Sequence, residues 1–306
     1  MSRIAIVGDV HLAVSVSSRI DDYFNTCLNK LAEIARDNTH VIFLGDVFNT
    51  PLIANSYFIS FYNFLQKYIE QGVQFYSIVG NHDVYNERED SLDRTTLGLC
   101  DTLGVIRLIL PNRPLTIGDI TFHTTYVNLE KARKHLSTQH YGDGDILLLH
   151  HFFEDQYEGF SYDELAKLGC QHIFLGHEHT PFPSARKVYN EFTVYRSGSL
   201  LRNSAGIKNF NRGIFYFIIE DSEIKGCTVE CAHPAEDVFT HKALTQQDLH
   251  RKEFVTNIND VLNKYALATT TQSKFSIQEV LIGLNCPEHA VNYIRGKYEL
   301  VGENFQ

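Results

Sequence analysis

The sequence contains no apolar run approaching the roughly 18 residues that a helix needs to span a bilayer. A short apolar segment begins almost at the first residue, so we expect neither a signal peptide nor contact with a membrane. The sequence also lacks a C-x-x-C pair. Its six cysteines are Cys27, Cys100, Cys170, Cys227, Cys231 and Cys286. Dispersed cysteines of this kind are typical of reduced thiols, which predicts a cytoplasmic protein without disulfides or a zinc finger.

Positive charge is scarce as well. The formal net charge of -10 over 306 residues argues against a large nucleic-acid footprint. Any such binding must therefore be local or shared with a partner chain. Two basic clusters are candidates, and each is either a binding surface or a solvated face: Lys131, Arg133 and Lys134, and the acid-free segment with Arg196, Arg202, Lys208 and Arg212. From the second cluster we predict Arg196 and Arg202 as substrate contacts.

What the sequence does have is a repeated pairing of short apolar runs with metal-binding residue types. Five such runs predict buried strands. The residues that follow them are Asp9 and His11 after 4–7, Asp46 after 41–44, Asn81 and His82 after 75–79, His150 and His151 after 146–149, and His177 and His179 after 173–175. Ligands of open α/β sheets lie beyond the carboxyl ends of the strands, so we expect these side chains in one place. Oxygen and imidazole ligands in this number suit a pair of divalent ions.

The spacing of these residues supports that interpretation. Asp9 and His11 lie two residues apart, as do His177 and His179. In extended chain, residues i and i+2 point the same way, so each pair can face one site. His150 is the first residue at its strand end and is the expected ligand. His151 is then either a supporting group or a packed imidazole.

The order of elements predicts an α/β fold. Helical apolar spacing at 20–34 and 58–69 separates the first three strands, which implies parallel strands with helical crossovers. Residues 113–127 predict a β-hairpin turning at Gly118 and Asp119. Ser161 and Glu164 form a capping box, and 192–196 and 213–219 predict further strands. Together these elements favour a two-sheet sandwich with flanking helices.

A change of character near residue 220 predicts two regions, 1–221 and 222–306. A strand is expected near 227–231. From residue 245 the pattern is helical, with one apolar stripe over 249–265, a second capping box at Ser276 and Glu279, and Pro287 placed to start a last helix.

The ordered series G-D-x-H, G-D, G-N-H-D, H, G-H-x-H resembles the calcineurin-like metallophosphoesterase superfamily over residues 1 to about 220. The resemblance implies a four-layer α-β-β-α sandwich of two mixed sheets, with a small C-terminal α+β or helical extension. It implies one ion held by Asp9, His11, Asp46 and His179, and a second held by Asp46, Asn81, His150 and His177. Asp46 then bridges the two ions. This mixed ligand set favours Mn²⁺, with Fe²⁺, Zn²⁺ or Mg²⁺ as substitutes.

The same resemblance implies hydrolysis of a phosphoester by a hydroxide that bridges the ions, with Asp46 and Asn81 holding them. His82 would contact the phosphate and help the leaving oxygen to accept a proton. Many relatives carry Asp or His three residues after the bridging Asp, where this chain has Asn49. The amide of Asn49 can accept a hydrogen bond from His82, but it stabilises the imidazolium less than a carboxylate does. We therefore predict Asn49 as a substrate-binding residue together with Arg196 and Arg202.

Two further segments are similar to those of the SbcD-like and Mre-type DNA repair nucleases: Gly45–Phe48 and Tyr195–Arg202. This narrower resemblance implies a DNA exonuclease or endonuclease without sequence preference, whose C-terminal region docks an SMC-like ATPase of SbcC type. A small-molecule phosphodiesterase or phosphomonoesterase on the same site is the alternative. A binding scaffold without catalysis is disfavoured because all seven ligands are intact. The sequence leaves a homodimer open.

Overall fold

The computed structural model describes residues 2–153, 159–182, 184–204, 212–230 and 233–245. The chain divides into two compact units, residues 1–243 and 244–306, whereas the sequence predicts a boundary at 221/222. The elements below belong to the first unit. The helices predicted at 249–265 and beyond Ser276 lie outside the described residues. No helix in the described part of the chain is long and apolar enough to cross a membrane.

Twelve strands and six α-helices lie wholly within the described part of the chain. In chain order the strands are β1 (Ile4–Val7), β2 (His40–Phe43), β3 (Gln74–Ser77), β4 (Arg107–Leu108), β5 (Leu115–Ile117), β6 (Ile120–Thr124), β7 (Asp145–Leu149), β8 (His172–Leu175), β9 (Arg186–Val188), β10 (Thr193–Tyr195), β11 (Ile214–Glu220) and β12 (Glu223–Glu230). The helices are α1 (Tyr23–Arg36), α2 (Asn55–Ile69), α3 (Thr96–Thr102), α4 (Leu129–Leu136), α5 (Tyr162–Ala166) and α6 (Ala235–Val238).

The strands form two mixed sheets of six. The first has the order β12-β11-β1-β2-β3-β4, and the second has the order β5-β6-β7-β8-β10-β9. Strands β1 to β4 are parallel, as the helical crossovers require, and β11 runs antiparallel to β1. In the second sheet β6, β7, β8 and β10 are parallel. Because β12 pairs with β11 along its whole length, residues 223–230 belong to the first sheet.

Alternation along the strands produces four layers. In β1, Ile4 and Ile6 face an apolar core that also contains Phe122 and Phe174 of the second sheet, so this core lies between the sheets. Ala5 and Val7 of the same strand face a second core that includes residues of α1 and α2. A third core covers the outer face of the second sheet with residues of α4 and α5. The α-β-β-α sandwich expected from the sequence is confirmed.

Two local predictions are confirmed in detail. Strands β5 and β6 form an antiparallel hairpin in which Ile117 pairs with Ile120 across the predicted turn. Ser161 caps α5, since its hydroxyl accepts from the Glu164 N–H while the Glu164 carboxylate accepts from the Ser161 N–H. Both observed strands of the hairpin are shorter than the predicted 113–127 because the flanking residues leave the ladder.

Candidate metal centre

The carboxyl ends of β1, β2, β3, β7 and β8 meet at one edge of the sandwich and bring the seven predicted ligands together. Three of the resulting side-chain groups could hold a metal ion: Asp9, His11 and His179; Asp46, His150 and His177; and His11, Asp46 and His82. Within each group the potential ligand atoms lie within 4.8 Å of one another. We call the first group, with Asp46, site 1, and the second group, with Asn81, site 2.

In site 1, two imidazoles and one carboxylate converge. The Nε2 atoms of His11 and His179 lie 2.8 Å apart, and Oδ2 of Asp9 lies 3.7 Å from Nε2 of His179. Asp9 is fully buried, and Oδ1 accepts a hydrogen bond from the His177 main-chain N–H at 3.0 Å. Its Oδ2 is buried and has no hydrogen-bond partner among the described residues. A buried carboxylate oxygen left in this state is normally satisfied by a cation or an N–H group.

In site 2, the side chains converge on the amide oxygen of Asn81. This Oδ1 lies 3.0 Å from Nε2 of His150 and 3.1 Å from Nδ1 of His177. Nδ1 of His150 donates to the Leu44 carbonyl at 2.7 Å. That bond orients the ring and leaves Nε2 as the atom that faces the site, which is the usual arrangement of a histidine that binds a metal ion.

Asp46 lies between the two sites. Its Oδ2 is 3.4 Å from Nε2 of His11 and 3.3 Å from Nε2 of His150, while its Oδ1 accepts from the His82 main-chain N–H at 2.8 Å. The main chain at Asp46 has a φ of 47°, and its carbonyl accepts from the His11 N–H. Gly80 permits this approach, because a Cβ there would lie 2.1 Å from Oδ1 of Asp46.

The electrostatics of the site fit a cation. Burial lowers the pKa of His11 and His177 to about 3 and that of His179 to about 4, so these imidazoles are neutral and can donate a lone pair. Burial also disfavours a charge on His150, but the Asp46 carboxylate outweighs it and raises the pKa of His150 to about 10. Without a metal ion, a proton on His150 therefore balances the charge of the buried Asp46 carboxylate. Divalent ions can replace it, and the donor set suits them.

His82 is exposed at the edge of site 1. Its ring centre lies 4.8 Å from that of His11, and its Nδ1 donates to the main-chain carbonyl of Asn49 at 2.9 Å. The sequence led us to expect the side-chain amide of Asn49 as the acceptor. Because the main chain supplies the acceptor, the orientation of His82 does not depend on which side chain residue 49 carries.

Arg196 and Arg202, which the sequence predicts as substrate contacts, pack against other parts of the protein. Both are buried. The Arg196 guanidinium lies 3.9 Å from the centre of the Phe182 ring, and Arg202 donates to the His233 carbonyl at 2.8 Å. Their binding of substrate stays a prediction, and the packing does not favour it. Lys208 of the same basic cluster lies outside the described residues.

Two buried residues that directly follow predicted site residues had no definite role in the sequence analysis. Asp83 is fully buried and accepts from the main-chain N–H groups of Phe48 and Gly80, at 3.1 and 3.0 Å. Asp83 thereby joins the loops that carry Asp46 and Asn81. The sequence feature that could have indicated this role is an acidic residue three positions after Gly80, where the turn begins. His151, which the sequence left open, donates from Nε2 to the Tyr126 carbonyl at 2.8 Å and is buried against Phe160. It is a packed imidazole.

The family model for calcineurin-like phosphoesterases matches residues 2–181. No curated protein matches the chain.

Two solved structures are distantly similar. One is GAP50, the anchor in the inner membrane complex of Plasmodium, with 14% identity, a TM-score of 0.45, and coverage of 76% of this chain and 86% of that one. The other is a conserved uncharacterized protein of Streptococcus pneumoniae described as a predicted phosphoesterase, with 13% identity, a TM-score of 0.33, and coverage of 76% and 93%. Neither likeness is close enough to bear on function.

Proposed function

The chain belongs to the calcineurin-like phosphoesterase family, and within it we propose that the protein is a two-metal phosphodiesterase that cleaves DNA. One observation carries the two-metal part of the proposal. A single carboxylate oxygen, Oδ2 of Asp46, lies within 3.4 Å of a ligand nitrogen in each site. Two ions that share a bridging carboxylate are the arrangement that this chemistry uses.

Site 1 would hold one ion through Asp9, His11, His179 and Asp46, and site 2 would hold the other through Asp46, Asn81, His150 and His177. Two divalent ions, for which we propose Mn²⁺, would supply Lewis-acid chemistry by neutralising the phosphate and lowering the pKa of water. The protein contributes neutral imidazoles, a neutral amide and two carboxylates. The neutral Asn81 limits the negative charge that an incoming phosphate meets.

The exposed side of the centre defines the approach of the substrate. The side chains of Asp9 and Asp46 are 1% exposed, whereas that of His179 is 38% exposed and His82 is exposed as well. A phosphodiester therefore arrives past His82 and His179. His82 is held through Nδ1, so its Nε2 can meet the phosphate and protonate the leaving oxygen.

The preference for DNA rests on the sequence. Gly45–Phe48 and Tyr195–Arg202 are similar to segments of the SbcD-like and Mre-type nucleases. The ATPase partner proposed for this class would dock on residues after 243, of which nearly all lie outside the described part of the chain. A chain that ends at Ala243 should keep the hydrolysis of a small diester and lose any ATP-stimulated cleavage by the complex.

A small-molecule phosphodiesterase is the second candidate, and two observations favour it. The net charge is -10, and the two arginines expected to contact a nucleic-acid backbone are buried. Such a surface gives little of the counterion release that drives nucleic-acid binding.

One experiment separates the two candidates. The purified Mn²⁺-loaded protein is incubated with linear duplex DNA, circular single-stranded DNA and a chromogenic phosphodiester, beside an Asp46→Asn variant as the background control. Cleavage of DNA that the control lacks supports the nuclease. Hydrolysis of the chromogenic diester alone supports the small-molecule enzyme, and no metal-dependent hydrolysis of any substrate contradicts both.

A further inference from the structure

The segment Arg196–Arg202 packs against the main chain of two ligand loops of site 1. The Leu200 N–H donates to the Asp9 carbonyl at 2.7 Å, and the Ser199 N–H donates to the His179 carbonyl at 3.1 Å. These adjacent amides therefore connect a loop at the end of the first sheet to a loop at the end of the second. These two loops carry the site 1 ligands Asp9, His11 and His179, and the second loop also carries His177 of site 2.

Close approach of the main chains makes this connection tight. Gly198 has a φ of +73°, and a Cβ there would lie 2.5 Å from the His179 carbonyl oxygen. A Cβ at Gly8 would lie 2.0 Å from the Gly198 carbonyl oxygen. Three main chains thus meet without side chains between them, so a displacement of residues 198–200 is transmitted to the ligand loops.

Arg212 is hydrogen-bonded to this segment at two places. Its Nη2 donates to the Ser199 hydroxyl at 2.6 Å and to the Leu201 carbonyl at 2.9 Å. The Ser199 hydroxyl in turn donates to the Leu201 carbonyl at 2.7 Å. Ser199 and Leu201 are buried, and Arg212 is 9% exposed. A guanidinium can serve two acceptors in one plane, whereas an ammonium is a point donor on a flexible stem.

We propose that Arg212 is a positioning residue of the metal centre, which fixes residues 199–201 so that their amides hold the Asp9 and His179 loops in the geometry of site 1. In this account Arg212 acts on site 1 through residues 199–201. The inference rests on the proposed metal centre and adds that site 1, with three ligands on these loops, depends on Arg212 more than site 2 does, which has only His177 there. Supporting residues of metal ligands affect metal affinity by about 10- to 100-fold.

The test measures metal binding rather than activity. Mn²⁺ is titrated calorimetrically into the metal-free full-length chain, and bound metal is counted after dialysis. The wild type should bind two ions. Arg212→Met should weaken the binding of one ion by about tenfold or more and that of the other ion by a clearly smaller factor. Arg113→Met is the matched control, because Arg113 donates to the Leu108 carbonyl and the Asp101 carboxylate instead. It should bind both ions as the wild type does.

A second substitution tests whether Arg212 affects metal binding through Ser199. Ser199→Ala removes the hydroxyl that lies between Arg212 and Leu201. It should therefore lower the affinity for the same ion, by a smaller factor than Arg212→Met does. The double variant should be no weaker than Arg212→Met alone, since both act through one connection. Arg212→Lys keeps the charge and should recover only part of the affinity. If Arg212→Met fails to fold, judged by circular dichroism, Ser199→Ala and Arg212→Lys decide the question.

The outcomes separate the inference from the proposed function. A wild type that binds no Mn²⁺ overturns the metal centre itself. Two ions in the wild type with wild-type affinities in the folded Arg212 and Ser199 variants overturn the role of Arg212 alone. Equal weakening of both ions, or additive effects in the double variant, shows a general contribution to folding and also overturns it.

Discussion

Replacement of Asp83 by Asn tests how the two ligand loops are joined. The Asp83 carboxyl offers one oxygen to the Phe48 N–H and the other to the Gly80 N–H. The amide of Asn has one oxygen and one NH₂ group, so one main-chain N–H then faces another donor in a fully buried place. A buried donor without a partner costs about 1–3 kcal/mol. We expect Asp83→Asn to lower the free energy of unfolding of the metal-free protein by about this amount at pH 5.

The size of this effect should depend on pH. Burial, reinforced by the charge of Asp46, raises the pKa of Asp83 from 3.8 to about 7 in the folded protein. The folded state therefore binds a proton that the unfolded state releases, and this contribution to stability is lost as the pH rises from about 4 to 7. Asn does not titrate, so the difference between wild type and variant should shrink from pH 5 to pH 8.

Urea unfolding in the presence of EDTA, followed by circular dichroism at both pH values, measures the difference. Asp93→Asn is the control, because that carboxylate is exposed and pairs with Arg94 at the surface. It should change the free energy of unfolding by less than about 0.5 kcal/mol. A difference for Asp83→Asn that grows toward pH 8 would contradict the environment assigned to Asp83.

Two further predictions concern the acid and the ligands. His82→Gln should keep both ions, judged by metal analysis, but lose most turnover on diesters with poor leaving groups; loss of one ion would instead identify His82 as a ligand. Asn49→Ala should retain most of that turnover, because the main chain orients His82. Metal affinity should rise between pH 7 and pH 10. Burial disfavours a charge on His150, but the Asp46 carboxylate outweighs it and raises the pKa of His150 to about 10, so an ion must displace a proton from His150 at lower pH. Calorimetry in buffers of different ionisation enthalpy should show proton release on binding, and pH-independent affinity would refute this assignment.

The fold and the convergence of the ligands follow from local patterns. Short apolar runs that end in Gly-Asp, Gly-Asn-His-Asp or Gly-His define β1, β2, β3 and β8, and the parallel ladders bring their carboxyl ends together. The i and i+2 spacing agrees with the place of Asp9 and His11 in site 1, but it does not anticipate that His177 lies in site 2 and His179 in site 1. The main chain departs from simple extension there, because His11, Asp46 and His177 have φ values of 48°, 47° and 73°.

The predictions for supporting residues depend on information that local patterns do not contain. Arg196, Arg202 and Arg212 form one basic cluster in the sequence, yet all three are buried. Burial of an arginine is decided by carbonyl groups and rings brought near it by distant segments, as with Phe182 and Arg196. In the same way, residue type indicates that position 49 can accept a hydrogen bond, but not that its main-chain carbonyl does so.

The magnetic coupling between bound ions shows whether Asp46 bridges two metal ions. The wild type is loaded with Mn²⁺, the ions per chain are counted, and the electron paramagnetic resonance spectrum is recorded at low temperature. Two Mn²⁺ ions that share a bridging carboxylate lie about 3.5–4 Å apart, and their electron spins are coupled at this distance. We predict two ions per chain with a coupled spectrum, and loss of the coupling in Asp46→Asn. A single ion per chain, or two ions with uncoupled spectra, would contradict the account.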